Sequence, residues 1–207
     1  IYVAFGANDG FMHFVKNTED DSVGTGLGTD SGEEVWAFMP QEVMGELATL
    51  EANALGSDHP YLVDGSATAY VEGRFIDRAI DGEDVFLYFG LRRGGKAIYA
   101  MDISTPEDPS LKWKITKSGD FSELGYTFSD PVVGMMRDGT DAKPIIMFGG
   151  GYDLNKDDRT GDGIGSNDSE GNALYVVDGD TGALIWKAVG SGTASSSVFV
   201  HPDMVDS

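Results

Sequence analysis

The sequence predicts an all-β fold, a β-propeller fragment of about three four-stranded antiparallel blades with long loop insertions and one short helix. Three observations predict it. A strand ending in Phe-Gly occurs as Tyr2-Val3-Ala4-Phe5-Gly6, Phe86-Leu87-Tyr88-Phe89-Gly90 and Ile145-Ile146-Met147-Phe148-Gly149. A second apolar run follows each copy: Phe11 to Lys16, Ala97 to Asp102, Ala173 to Asp178. All three tryptophans, Trp36, Trp113 and Trp186, fall at one repeat position, 77 (113 − 36) and then 73 (186 − 113) residues apart. A four-stranded antiparallel sheet covers both apolar faces only when other sheets stack on it, and radial stacking of such sheets is a propeller.

Taken in order, the first two strands flank Asn8-Asp9-Gly10, a hairpin signal because such a turn needs positive φ. Glu19 to Gly32 is an acidic, Gly-rich loop, and Glu34 to Phe38 is the strand that bears Trp36. Pro40 to Leu50 has helical spacing of Val43, Leu47 and Leu50 behind an early proline. A strand from Val63 to Val71, a turn at Asp81-Gly82-Glu83-Asp84 and the strand Val85 to Gly90 open the second unit, which Trp113 closes. Thr127 to Val133 and a turn at Asp138-Gly139 precede the third Phe-Gly strand. The units are expected at 1–39, 61–117 and 126–189, with 193–207 opening a further one through Ser196 to Val200. The repeat is roughly twice the common propeller length of about 40–45 residues. The excess sits at 19–32, 40–50 and 153–170. Because the first residues already read as mid-strand, the chain is expected to be an excerpt of a larger protein.

Composition narrows the function. Hydrophobic residues at 41% and 29 glycines fit a globular chain with many tight turns. A net charge of −21, from 14 basic against 35 acidic residues, argues against a nucleic-acid partner, which needs a basic footprint. It favours cations or solubility. Zero cysteines exclude disulfides, thiol catalysis and zinc-thiolate sites. No run is long and apolar enough for a transmembrane helix.

The candidate metal site is the 153–170 insertion. The Phe-Gly glycine stands 29 residues before its aspartate here (178 − 149), against 12 in the second unit (102 − 90). The loop offers Asp153, Asn155, Asp157, Asp158, Asp162, Asp168 and Glu170. Calcium takes 6–8 oxygen ligands, so hard oxygens at alternate positions suit it. Asp153, Asn155 and Asp157 fit the first, third and fifth places of an EF-hand-type loop, but Asp158 replaces the turn glycine and Ile164 the bidentate Glu. A register from Asp158 places Asp162-Gly163 correctly and ends on Ser169. The competing reading is a solvated acidic loop. His13, His59 and His201 are scattered, with His13 expected against a neighbouring blade, and no catalytic triad order emerges. Asp9, Asp64, Asp102, Asp130, Asp178 and Asp180 recur at turns and strand ends, where carboxylates bind backbone N–H groups. Arg92 and Arg93, in the chain's one basic cluster, are expected to pair with nearby acid.

The run VVDGDTGALIW (Val176 to Trp186) resembles the tryptophan-docking repeat of quinoprotein alcohol dehydrogenase propellers. An ordered set of segments is more specific: GANDGFMH from Gly6, EEVWAFMPQEV from Glu33, HPYLVDGSAT from His59, GLRRGGKAIYAMDIS from Gly90, LGYTFSDPVV from Leu124, and Phe148 to Ile185. Together they resemble the C-terminal propeller of the PilY1/PilC family of type IV pilus biogenesis factors and tip adhesins. That resemblance implies an exported protein of the outer membrane or pilus tip, supporting pilus extension and surface adhesion, with calcium as a regulator. It implies protein partners: pilins or minor pilins, and host or surface receptors. The family's calcium loop follows the strand that here is SSSVFV, and only its first aspartate position, Asp206, lies within this chain.

Two other functions compete. A quinoprotein dehydrogenase would use pyrroloquinoline quinone with calcium and needs a central Asp base, often with vicinal cysteines. An outer-membrane assembly scaffold would share the docking repeats but not the GLRRGGKAIYAMDIS run.

Overall fold

The computed structural model describes residues 1–18, 26–56, 59–72, 84–138, 141–157, 167–190 and 197–200. Among these residues, twelve strands form three separate antiparallel sheets. The first holds β1 (Tyr2–Gly6), β2 (Met12–Lys16) and β3 (Glu34–Phe38). The second has the order β4 (Ala67–Val71), β5 (Val85–Gly90), β6 (Ala97–Asp102), β7 (Ser110–Thr116). The third runs β8 (Val132–Asp138), β9 (Asp141–Gly149), β10 (Ala173–Asp178), β11 (Leu184–Gly190), β12 (Ser197–Val200).

The repeat is exact at the level of register. Trp36 stands opposite Phe14, Trp113 opposite Ala100 and Trp186 opposite Val176. A β-bulge follows each of those partners, at Phe14/Val15, Ala100/Met101 and Val176/Val177. A bulge twists the strand and re-aims its side chains, so its recurrence marks a designed feature of the unit.

The indoles of the first and second sheets then reach out of their own sheets. Trp36 Nε1 donates to the carbonyl of Pro106, in the turn between β6 and β7, at 3.0 Å. Trp113 Nε1 donates to the carbonyl of Gly179, in the turn between β10 and β11, at 3.0 Å. The tryptophan of one sheet thus docks on the matching turn of the next. Asp178 shapes the second turn, its Oδ1 accepting from the N–H groups of Asp180 and Thr181. Gly182 closes it with φ of 72°, and a Cβ there would meet the Trp113 ring at 2.9 Å. Only glycine fits on both counts.

Two cores fill the spaces between sheets. Met12, Phe14, Leu87, Phe89, Tyr99 and Met101 pack between the first and second sheets. Tyr70, Phe86, Tyr88, Trp113, Ile146, Phe148 and Tyr175 pack between the second and third. Alternate residues of β5 serve opposite cores, so Phe86 through Gly90 is buried throughout. A strand covered on both faces reads as a continuous apolar run, which VFLYFG is. Full burial of a side chain such as Phe89 is worth about 1.5–3 kcal/mol.

Several expectations need correction. The segment expected as one helix is a 3-10 helix over Gln41–Glu46 that passes into α1 (Leu47–Ala52). Gly45 weakens the helix just before the junction with α1, and only Val43 of the stripe is buried, while Leu47 is exposed. The strand expected from Val63 starts at Ala67, because Leu62 and Val63 are spent on the first core as irregular chain. Leu62 N–H is held by Asn8 Oδ1 and Val63 N–H by the Ala7 carbonyl. The strand expected from Thr127 starts at Val132, since Thr127 is bridged to Arg92 instead. Ser197–Val200 does not open another sheet but pairs antiparallel with β11, making a fifth strand. The first sheet has three described strands where four were expected. Of the turn at Asp81 to Asp84, only Asp84 is described, and Gly139 also lies outside the described residues.

Candidate functional site

Antiparallel order places the connections 7–11, 39–66, 91–96, 117–131 and 150–172 at one end of their sheets. The described ends of the insertion, 153–157 and 167–170, sit beside the loop that carries Arg92 to Lys96.

Its base is built from glycine and tyrosine backbone. Gly150 N–H donates to Ala173 O at 2.6 Å, and Gly125 N–H to Gly150 O at 2.7 Å. Tyr152 and Tyr126 exchange backbone bonds at 2.8 and 2.9 Å. Gly151 has φ of 106°, and a Cβ there would strike the Tyr126 carbonyl. The first arm of the loop is thereby fixed to the connection leading into β8.

Asp153 closes the loop on itself. Its carboxylate is buried, accepting from Asn155 N–H at 3.0 Å, Ser169 N–H at 2.6 Å and the Ser169 hydroxyl at 2.7 Å. The Asn155 N–H, followed by the Ser169 donors, holds its pKa down at about 2. Asn155 Nδ2 donates to Asn167 O at 2.7 Å, while Asn155 Oδ1 is buried with no hydrogen-bond partner.

The other described acids of the loop are tied to cations. Asp157 receives both Arg93 guanidinium nitrogens, at 2.7 and 2.9 Å, and the Tyr152 hydroxyl at 2.7 Å. That pairing raises the Arg93 pKa further above its ordinary value. Asp168 pairs with Lys156 at 3.1 Å. Glu170 is buried between Lys96, at 2.6 Å, and Lys117. Lys96 belongs to the β5–β6 loop and Lys117 follows β7, so this triad staples the insertion to the second sheet.

Asp153, Asn155, Asp157 and Asp168 are thus gathered at the two ends of one loop, while Asp158 and Asp162 lie outside the described residues, as does Asp206. Among the described residues, no three acidic or histidine side chains converge on a point that could hold a metal. Sequence reasoning grouped Glu170 with the metal ligands and missed its lysine partners. Lys96 and Lys117 are distant in sequence, and only the stacking of sheets brings them to it.

Arg93 pairs with acid as expected, whereas Arg92 adopts φ of 50° and lies over the Phe128 ring at 5.8 Å. A polar cleft of about 470 Å³ opens beside Arg93, bounded by Glu42, Glu46, Tyr61, Lys96 and Tyr126. His13 is gripped by two carboxylates, Asp9 Oδ2 at 2.9 Å on Nε2 and Glu34 Oε2 at 2.5 Å on Nδ1, and stacks on Phe5. His59 is exposed and contacts the Pro60 carbonyl, and His201 lies outside the described residues. No described helix is long and apolar enough to cross a membrane.

Comparison with known proteins agrees with this geometry. The family model described as the PilY1 beta-propeller domain matches residues 1–207. A type IV pilus biogenesis factor PilY1 of Pseudomonas aeruginosa (strain UCBPP-PA14) is 34% identical over 188 residues, 90% of this chain and 13% of its own length. A PilY1 homolog of Xylella fastidiosa (strain Temecula1) is 36% identical over 141 residues, 68% of this chain and 10% of its own length. The chain therefore spans only about an eighth of the curated Pseudomonas relative. The crystal structure of the Pseudomonas aeruginosa PilY1 C-terminal domain superposes with a TM-score of 0.55 at 28% identity, covering 94% of this chain and 31% of that one. With three stacked sheets, indoles docked sheet to sheet and a family match over its whole length, this chain belongs to the PilY1 β-propeller family.

Proposed function

We propose that this chain is the non-enzymatic propeller part of an exported PilY1-like protein that supports type IV pilus assembly and extension and mediates surface adhesion. The observation that carries the reading is the family match over residues 1–207, joined to relatives named as pilus biogenesis factors. The partners in this reading are pilins or minor pilins and a surface receptor, met at the outer membrane or pilus tip. The contact surface is the loop-bearing end of the sheets, where the insertion, the Arg92-Arg93 loop and the helical segment cluster. A non-enzymatic role is supported by the relatives named as pilus biogenesis factors.

The test is made in the organism that encodes the protein. Replacing residues 151–171 by a loop of the length that joins β5 to β6 keeps the sheets and removes the insertion. The expected result is loss of surface pili or of attachment with the protein still exported. Normal piliation and attachment would overturn the proposed contact surface.

Calcium is part of the same proposal. It is supported by the ionised Asp153, the unpartnered Asn155 Oδ1, and the further carboxylates Asp158 and Asp162 carried between the loop ends. Titration calorimetry with calcium is expected to give heat that Asp153→Asn reduces. Silence at millimolar calcium would retire the calcium reading while leaving the pilus reading standing.

A further inference from the structure

The turn between β5 and β6 carries two arginines whose side chains are treated differently. Gly94 N–H donates to Leu91 O at 2.9 Å, so Arg92 and Arg93 are the central residues of a tight turn. Arg93 gives both terminal nitrogens to the Asp157 carboxylate, at 2.7 and 2.9 Å, and lies 5.6 Å from the Tyr152 ring centroid. Arg92 has the same kind of platform, lying over the Phe128 ring at 5.8 Å, but no carboxylate among the described residues pairs with it. Its Nε is buried without a hydrogen-bond partner. Buried donors are normally satisfied, and this chain has 35 acidic residues against 14 basic ones to do it.

The backbone at Arg92 is also held against its preference. Among the described residues, Asn53 and Arg92 are the two with positive φ that are not glycine. Asn53 ends α1, where asparagine is ordinary. Arg92, at φ of 50°, takes the first central place of its turn, where a positive φ suits glycine. Buried Thr127 keeps it there. Arg92 N–H donates to Thr127 O at 3.2 Å, and Leu91 N–H to Thr127 Oγ1 at 2.8 Å. Gly94 locks the other side, since a Cβ there would fall 1.5 Å from the Leu62 carbonyl oxygen. Strain of this kind persists where the surroundings over-determine it, and it collects at ligand clamps.

We propose that Arg92 is a carboxylate-binding site, taking a carboxylate of a partner protein over Phe128 as Arg93 takes Asp157. The planar guanidinium forms two parallel N–H···O bonds with a carboxylate, and the aromatic ring beneath steadies its plane. With Arg93 already neutralised by Asp157, the turn offers one positive charge, which matches a carboxylate better than a phosphate dianion. The inference rests on the loop-bearing end being the contact surface proposed above, and it names the chemistry that one point of that surface reads.

The test is made on the 207-residue chain, so it reads binding apart from any pilus phenotype. Arginine Nε–H signals and backbone amides are followed in proton–nitrogen spectra, with the Arg92 signal assigned by its loss in Arg92→Lys. The probes are acetyl-Gly-Glu-Gly-amide, acetyl-Gly-Gly-Gly with a free carboxyl end, acetyl-Gly-Gln-Gly-amide and inorganic phosphate, all at constant ionic strength. The expected result is a saturable shift of the Arg92 signal and of the Gly94 and Phe128 amides with a carboxylate peptide. The glutamine peptide is expected to shift none of them, and the Arg93 signal to stay in place. Whichever carboxylate acts at the lower concentration, side-chain or terminal, names the source. Arg92→Asn, whose side chain tolerates the left-handed backbone, is expected to lose the amide shifts while Tm holds. Shifts that are absent from the parent chain, equal with phosphate, or retained by Arg92→Asn would overturn the proposal.

Discussion

The carbonyl of Gly179 is buried and takes two hydrogen bonds from the second sheet, one from Trp113 Nε1 at 3.0 Å and one from the Tyr88 hydroxyl at 3.0 Å. Removing either donor leaves the other in place. Tyr88→Phe then costs about 1 kcal/mol, the net worth of one hydrogen bond. Trp113→Phe costs about 1–2 kcal/mol, since the ring also loses packing area against Gly182. Removing both donors strands a buried acceptor, and the desolvation penalty adds about 1–2 kcal/mol beyond the sum of the singles. For a domain of this size each kcal/mol lowers Tm by about 2–4 °C. Urea unfolding of the four proteins, followed by far-ultraviolet circular dichroism, closes the double-mutant cycle. A double variant whose loss equals the sum of the two singles would refute a shared acceptor at the sheet junction.

Other outcomes follow from the same contacts. Glu170→Ala should cost about 1–3 kcal/mol in urea unfolding, because it strips the buried partner from Lys96 and Lys117, whose partly exposed heads soften the loss. High salt should shrink that difference. His13 has its pKa raised, first by the Glu34 hydrogen bond and then by Asp9, against the opposing effect of burial. Its contribution to stability is therefore full below the unfolded value of about 6.5 and fades as pH rises through the higher folded value. Tm measured across that range should fall less in His13→Gln than in the parent chain. Asp153 runs the other way. Its stabilisation is present above the unfolded carboxylate value and is lost as pH falls toward about 2, so Asp153→Asn should flatten the acid limb of the Tm profile. Gly182→Val should destabilise more than Gly45→Ala, since Gly45 has open space around it.

What could be read from sequence was whatever is local or repeats. The Phe-Gly strands, the tryptophan strands and the Asn8-Asp9-Gly10 turn are each set by alternation or by a positive φ, here 101° at Gly10. The three-fold coincidence then set their equivalence, to which the structure adds an unforeseen bulge opposite each indole. Partners chosen across sheets were not legible. Nothing near Glu170 announces Lys96 and Lys117, and nothing near Tyr99 announces the Glu42 carboxylate that its hydroxyl meets from the helical segment. Spacing alone also could not tell that Val43 would be buried while Leu47 faces water. For the acidic insertion, ligand-like spacing was visible, but the sequence could not show that Asp157 and Asp168 are neutralised by Arg93 and Lys156.

That Trp36 and Trp113 anchor to the turn of the following sheet is most directly tested by hydrogen exchange of the tryptophan Nε1–H groups, resolved in proton–nitrogen spectra. The Trp113 indole, 8% exposed and bonded to Gly179, should exchange only when the domain unfolds, and the half-buried Trp36 indole bonded to Pro106 should exchange sooner. A Trp113 indole that exchanges at the rate of free tryptophan would contradict the docking of one blade on the next.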